Sequence, residues 1–154
     1  MFDYMKVKRR RKLMTDEDVL PNTSRIMSSI KKKDSKPELL VRKFLFSLGF
    51  RYKLHDESLT GTPDIVLYSH GVVIFVDGCF WHGHAGCYKT PLTRKEFWEN
   101  KIQNNIERDN HQRAMLEELG WRVFVIHECE LAKGRRGTTY YNLLRFIDND
   151  IYSE

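Results

Sequence analysis

The sequence predicts an α/β domain, a mixed central β-sheet with helices on both faces, and three observations carry that prediction. The apolar patterning runs in the order helix, three strands, helix, strand, helix. Two of the strands, residues 64–68 and 72–76, are nearly continuous β-branched runs of the kind buried on both faces, and the short His70-Gly71 connection makes them an antiparallel hairpin. The length of 154 residues with 41% hydrophobic content allows one core and hardly two.

Taken in order, Asn22-Thr23-Ser24 offers a cap for a short helical stretch over 25–30, where Ile26, Met27 and Ile30 fall at helical spacing. A stronger helix covers 36–48. Ser35 is its N-cap, Pro37 lies in the first turn, Leu40, Val41, Phe44, Leu45 and Leu48 share one face, and Gly49 stops it. Phe50, Tyr52 and Leu54 then alternate with polar residues as a half-buried strand, and Thr60-Gly61-Thr62-Pro63 is a turn into the hairpin. Thr93-Arg94-Lys95-Glu96 reads as a capping box that opens a long helix through Phe97, Ile102, Ile106, Met115, Leu116 and Leu119 to Gly120. Residues 121–126 form a buried strand ending beside Cys129, 133–137 a polar loop, and a last amphipathic helix carries Tyr140, Tyr141, Leu143, Leu144, Phe146 and Ile147. Only one or two other arrangements satisfy connections this short.

The formal net charge of +5 is concentrated at one end. Residues 1–36 hold eleven Lys/Arg against five Asp/Glu, and the rest of the chain is balanced at fifteen against sixteen. The excess sits in 6–12 and in Lys31-Lys32-Lys33. This divides the chain into a flexible basic arm, 1–21, and a single domain, 22–154. A basic arm on a balanced domain suits phosphate contacts on nucleic acid, although a solvated tail has the same composition. No apolar run approaches the eighteen or so residues of a bilayer span, which argues for a soluble protein.

The densest chemistry lies in residues 79–87, Cys-Phe-Trp-His-Gly-His-Ala-Gly-Cys. With the remaining cysteine, Cys129, and one histidine this stretch can close a Cys3His tetrahedron, the usual form of a structural zinc site. Three cysteines and no secretory signal argue against disulfides and for a reducing, intracellular location. Cys79 and Cys129 would also serve as small core residues. His82 and His84 compete for the metal, and the one left over could move a proton at neutral pH. Phe80 and Trp81 stand on a loop rather than in a periodic element, which favours exposure and wedging between bases. Trp98 is ambiguous in the same way.

The hairpin returns Asp64 and Asp77 to one end of the sheet. Two carboxylates there can hold Mg2+ for attack on a phosphodiester, although Asp at strand ends is also ordinary turn chemistry. Glu38 could approach them or only favour its helix dipole. Lys101, Asn105, Arg108 and Asp109 make a polar face on the long helix, most simply a solvated one.

Several segments together resemble the very short patch repair (Vsr) endonucleases, a family of bacterial mismatch nickases. They are G-T-P-D (61–64), V-I-F-V-D-G-C-F-W-H-G-H (73–84), E-F-W-E-N-K-I (96–102), N-I-E-R-D (105–109), L-G-W-R-V (119–123) and H-E-C (127–129), within a match spanning roughly 22–130. The resemblance implies a restriction-endonuclease-like core and Mg2+-dependent cleavage of one strand 5′ to the thymine of a T:G mismatch left by deamination of 5-methylcytosine. It implies Asp64 and the backbone carbonyl of Val76 as Mg2+ ligands, His82 as the catalytic histidine, Glu38 as a supporting acid, and Cys79, His84, Cys87 and Cys129 as ligands of a structural Zn2+. Phe80, Trp81 and Trp98 match aromatics that insert at the mismatch, and Met27 a residue that reaches the minor groove. The expected partners are double-stranded DNA with a T:G mismatch and other mismatch repair proteins, for a monomer in the bacterial cytoplasm at the nucleoid. Two departures stand out. Some members have Thr-His at Val76-Asp77, so Asp77 is a candidate to touch the metal or its water, and 84–87 carries an extra residue that bears on the reach of His84 and Cys87. Rival readings are a double-strand-cutting restriction endonuclease and a zinc-stabilised DNA-binding module that does not cut.

Overall fold

The computed structural model describes residues 33–148. The basic arm, the short helix expected over 25–30 and Met27 lie outside the described residues. Helix α1 (Lys36–Ser47) starts as its sequence dictates, with Ser35 Oγ accepting the N–H of Glu38 at 3.4 Å and a proline in the first turn. It is followed by β1 (Lys53–Leu54), β2 (Ile65–Leu67), β3 (Val72–Asp77), helix α2 (Lys95–Glu118), β4 (Arg122–His127) and helix α3 (Arg136–Asp148). The sheet order is β1-β2-β3-β4, antiparallel across the first two pairs and parallel between β3 and β4. The expected mixed sheet is therefore present, with α2 spanning the one parallel connection.

Side-chain alternation along the strands divides the core into two layers. Ile65, Leu67, Val72, Ile74 and Ile126 face α1 and α3, where Val41, Leu45, Leu143 and Ile147 meet them. Val66, Val73 and Phe75 face the other way, against Leu116 of α2. Each side chain of this size contributes roughly 1.5–3 kcal/mol when withdrawn from water. Burial on both faces thus holds β2, whose ladder is only three residues long.

Several boundaries differ from the sequence expectation. The first strand shrinks to two residues, because Phe50 and Tyr52 pack against the α1 layer and the Tyr52 hydroxyl donates to the carbonyl of Arg42 at 3.0 Å. Tyr68–His70 coil into a single 3-10 turn, which lengthens the hairpin connection. The capping box at 93–96 does not form. Arg94 is the N-cap, in left-handed conformation at φ 54° and without a side-chain cap, so Thr93 stands one residue too early. Part of the polar loop at 133–137 is already helix, since α3 begins at Arg136.

Candidate active site and metal centre

Asp64 immediately precedes β2, and Asp77 is the last residue of β3. Antiparallel pairing of Ile65 with Ile74 brings them to one end of the hairpin, where both line a cleft of about 410 Å3 together with Val76, His82, Asp109 and Arg113. A water occupies about 30 Å3, so a hydrated cation and a phosphate fit.

Asp64 is stitched to the neighbouring strand, its Oδ2 accepting the N–H of Val76 at 2.7 Å. That bond favours the anion, yet burial dominates and, with the negative charges of Glu38 and Asp77, pushes the carboxyl up to about 6. A carboxylate raised in this way, among other acids, is a place where a bound cation would relieve the charge. Glu38 is buried on the first turn of α1. Its Oε1 lies 2.7 Å from His55 Nε2, close enough to pair but without hydrogen-bond alignment, and His55 Nδ1 stands 3.8 Å from Asp64 Oδ1. His55 therefore stands between Glu38 and Asp64.

Asp77 is turned toward Arg113 and His82. Arg113 Nη2 donates to its Oδ2 at 2.6 Å, and His82 Nδ1 is 3.6 Å from the same oxygen. His82 Nδ1 is closer still to Asp109 Oδ2, at 2.5 Å. Burial alone would raise the Asp109 carboxyl, but the hydrogen bonds from His82 and Arg108 outweigh it and hold it below its ordinary value. With Nδ1 committed to Asp109, His82 keeps Nε2 for the cleft.

The loop after β3 winds back on itself through main-chain bonds from His82 N–H to Gly78 O, His84 N–H to Cys79 O and Tyr88 N–H to His84 O. Cys79, His84, Cys87 and Cys129 converge, with ligand atoms all within 4.8 Å of one another. His84 Nδ1 is 3.6 Å from Cys79 Sγ and 3.4 Å from Cys129 Sγ. A tetrahedron with ordinary Zn–S and Zn–N lengths has S···N edges of about 3.6 Å. The donor set suits a tetrahedral metal ion, and the extra residue in 84–87 leaves both His84 and Cys87 within 4.8 Å of the other ligand atoms. His82 is not part of this cluster and meets Asp77 and Asp109 instead.

Gly83, between them, is where the loop presses on α2. Its φ is +59°, and a Cβ there would meet Ile102 Cγ2 at 2.7 Å and Ile106 Cδ1 at 2.8 Å. On the same side the rings of Phe80, Trp81 and Trp98 cluster, with centroids 5.1–6.1 Å apart, and Asn105 Nδ2 donates to the Trp81 carbonyl at 3.1 Å. Phe80 and Trp81 are partly exposed, but Trp98 is buried at 7% exposure, so in this conformation it supports the other two from below.

In the sequence Asp109 stands out only in the polar face of the long helix and in the N-I-E-R-D segment, with no role attached, and His55 and Arg113 do not stand out. A signal for Asp109 exists. It stands seven residues from both Ile102 and Leu116, the buried stripe of α2, so it is an acid in an apolar position. Nothing in the local sequence marks His55.

A sequence profile of the family described as DNA mismatch endonuclease Vsr matches residues 17–89. The chain is 47% identical to the type II nicking enzyme V.NmeAIP of Neisseria meningitidis serogroup A over 120 residues, 77% of this chain and 85% of that one. It is 41% identical to the DNA mismatch endonuclease Vsr of Escherichia coli over 143 residues, 92% of this chain and 90% of that one. The chain belongs to the Vsr family. Membership makes it a DNA endonuclease of the mismatch-repair class, and a nuclease of this kind implies a divalent metal. Among the described residues no helix is long and apolar enough to cross a membrane.

Proposed function

We propose that this Vsr-family endonuclease hydrolyses one strand of duplex DNA on the 5′ side of the thymine in a T:G mismatch arising from 5-methylcytosine deamination. The observation that carries the reading is one cleft lined by both Asp64, whose carboxyl is pushed up to about 6, and His82, whose Nδ1 is held by Asp109. The hairpin that presents Asp64 is the feature a restriction-endonuclease-like core requires.

Asp64 and the carbonyl of Val76 are the residues that would hold Mg2+, with Glu38 as a supporting acid. Bound there, the ion would supply charge stabilisation during in-line displacement at phosphorus. His82 Nε2 takes the proton of the attacking water. Asp109 fixes the imidazole tautomer and stabilises the cation that results, the role an orienting carboxylate plays beside any general-base histidine. The chain would act as a monomer, since one nick needs one cleft.

Cys79, His84, Cys87 and Cys129 would hold Zn2+, fixing the loop that carries His82 and the aromatic pair. Phe80 and Trp81 would enter the stack beside the mismatch, a step that costs less at a mispair than in matched duplex. Trp98 would back them, and Lys101 Nζ, 5.7 Å from the Trp81 ring centroid, would meet the DNA backbone. Met27 would approach the minor groove.

Nicking of otherwise identical T:G and matched duplexes tests the reading. Mg2+-dependent cleavage of one strand of the T:G duplex alone is expected. Equal cleavage of both substrates with double-strand breaks favours the restriction-type alternative, and binding without cleavage favours the non-cutting module.

A further inference from the structure

Of the cations around the cleft, Arg113 is the one whose role the mechanism above leaves open. It projects from α2 to Asp77 in the cleft that His82 also lines, and its side chain is only 18% exposed. Nη2 is fixed by Asp77 at 2.6 Å, and the guanidinium carbon stands 4.8 Å from the centroid of the Phe75 ring. Nε is buried with no acceptor. Nη1 has no protein partner among the described residues, so the free edge of a planar fork, held at one end and stacked on a ring, is open to the cleft.

Charge gives that free edge a purpose. Asp64, Asp77 and Asp109 line the same cleft, and a phosphodiester entering it is a fourth negative group. Arg108 cannot answer it as well, because it is already paired with Asp109 at 2.9 Å and its side chain is 54% exposed, where water weakens the attraction.

We propose that Arg113 binds the phosphate that is cut, Asp77 holding the guanidinium through Nη2 while Nη1 donates to one non-bridging oxygen. Asp77 is then an anchor for the arginine rather than a metal ligand. The inference rests on the nicking function proposed above and adds a substrate contact to it.

The experiment is single-turnover nicking of a T:G duplex carrying Rp or Sp phosphorothioate at the scissile position. If Arg113 touches one oxygen, sulfur at that oxygen slows the parent protein by about tenfold or more, the scale of a hydrogen bond to a charged group. In Arg113→Met the overall rate falls, and the penalty for that one diastereomer shrinks to within about threefold. Arg113→Lys keeps a charge for Asp77 without the fork, loses rate, and shows the same collapse; it serves where the methionine variant fails to fold. A merely structural arginine lowers the rate but leaves both sulfur penalties as in the parent, and that outcome overturns the proposal. Absence of any nicking by the parent protein overturns the underlying function instead, so the two failures are distinct.

Discussion

Asp109 Oδ2 lies 2.5 Å from Nδ1 of His82, across the gap between α2 and the loop that follows β3. The contact fixes which imidazole nitrogen carries the proton and leaves the other as a base. Asp109→Asn preserves the shape but offers an amide whose N–H stabilises the wrong tautomer. Removing an oriented general base costs about 10²–10⁴-fold, and single-turnover nicking by this variant is expected to fall in that range with duplex affinity within a few-fold of the parent. Unchanged nicking rules out His82 as a base oriented by Asp109.

Asp64 links chemistry to stability. Its carboxyl is raised by burial, with repulsion from Glu38 and Asp77 adding to it against the Val76 N–H, so the folded chain keeps a proton that the unfolded chain has released. Stability therefore falls as pH rises from about 4 to 6 and then levels, at a cost of roughly 3 kcal/mol. Asp64→Asn removes the cost. In metal-free buffer at pH 8 its melting temperature is expected to exceed the parent's by several degrees, the difference closing near pH 4, while nicking is abolished. A variant that melts below the parent at pH 8 contradicts the assignment. For the parent, nicking rises as pH passes through about 6, and more Mg2+ moves that limb to lower pH because metal and proton compete for one carboxylate.

Much of this site was legible in the sequence because its parts lie in short segments. Asp64 and Asp77 bracket a hairpin whose apolar runs are unmistakable, and the spacing within 79–87 already suggested a metal. What local pattern could not supply was partnership across the fold. His55 meets Glu38 only when the chain after β1 folds back on α1, and Arg113 meets Asp77 only because α2 lies across the sheet face that carries Phe75. The failed capping box at 93–96 has a similar origin: the left-handed turn at Arg94 moves the helix start past Thr93, and tertiary context overrides the local cap signal. Trp98, read as a possible intercalator, is buried because Phe80, Trp81 and Phe97 all pack on it.

Gly83 makes a sharper test of the loop's position than any ligand. Alanine there adds a methyl group at 2.7–2.8 Å from Ile102 and Ile106 in a backbone conformation unfavourable to a Cβ. Overpacking of this kind costs about 1–3 kcal/mol. Because the strain falls between His82 and His84, Gly83→Ala is expected to reduce nicking far more than its melting temperature falls, and Ile106→Ala in the same chain to restore part of it by making room. Full activity in the single variant shows that the loop is free to shift.

The Cys79, His84, Cys87 and Cys129 cluster joins the loop after β3 to the end of β4, because Cys129 lies on the 3-10 turn Glu128–Leu131 just beyond that strand. A zinc ion there closes a long loop and stabilises the folded chain, so its removal acts on stability and on the placement of His82, Phe80 and Trp81 together. The parent protein is expected to carry one zinc per chain by elemental analysis and Cys87→Ser markedly less, with a lower melting temperature and at least a tenfold loss of nicking. Cys87 is exposed, so its replacement leaves the core untouched and the loss reports on the metal. The coupling claim is specific: stripping zinc with a chelator, then restoring saturating Mg2+, should leave the protein unable to distinguish T:G from matched duplex. If the stripped protein still nicks T:G DNA at the parent rate, the cluster does not position the site.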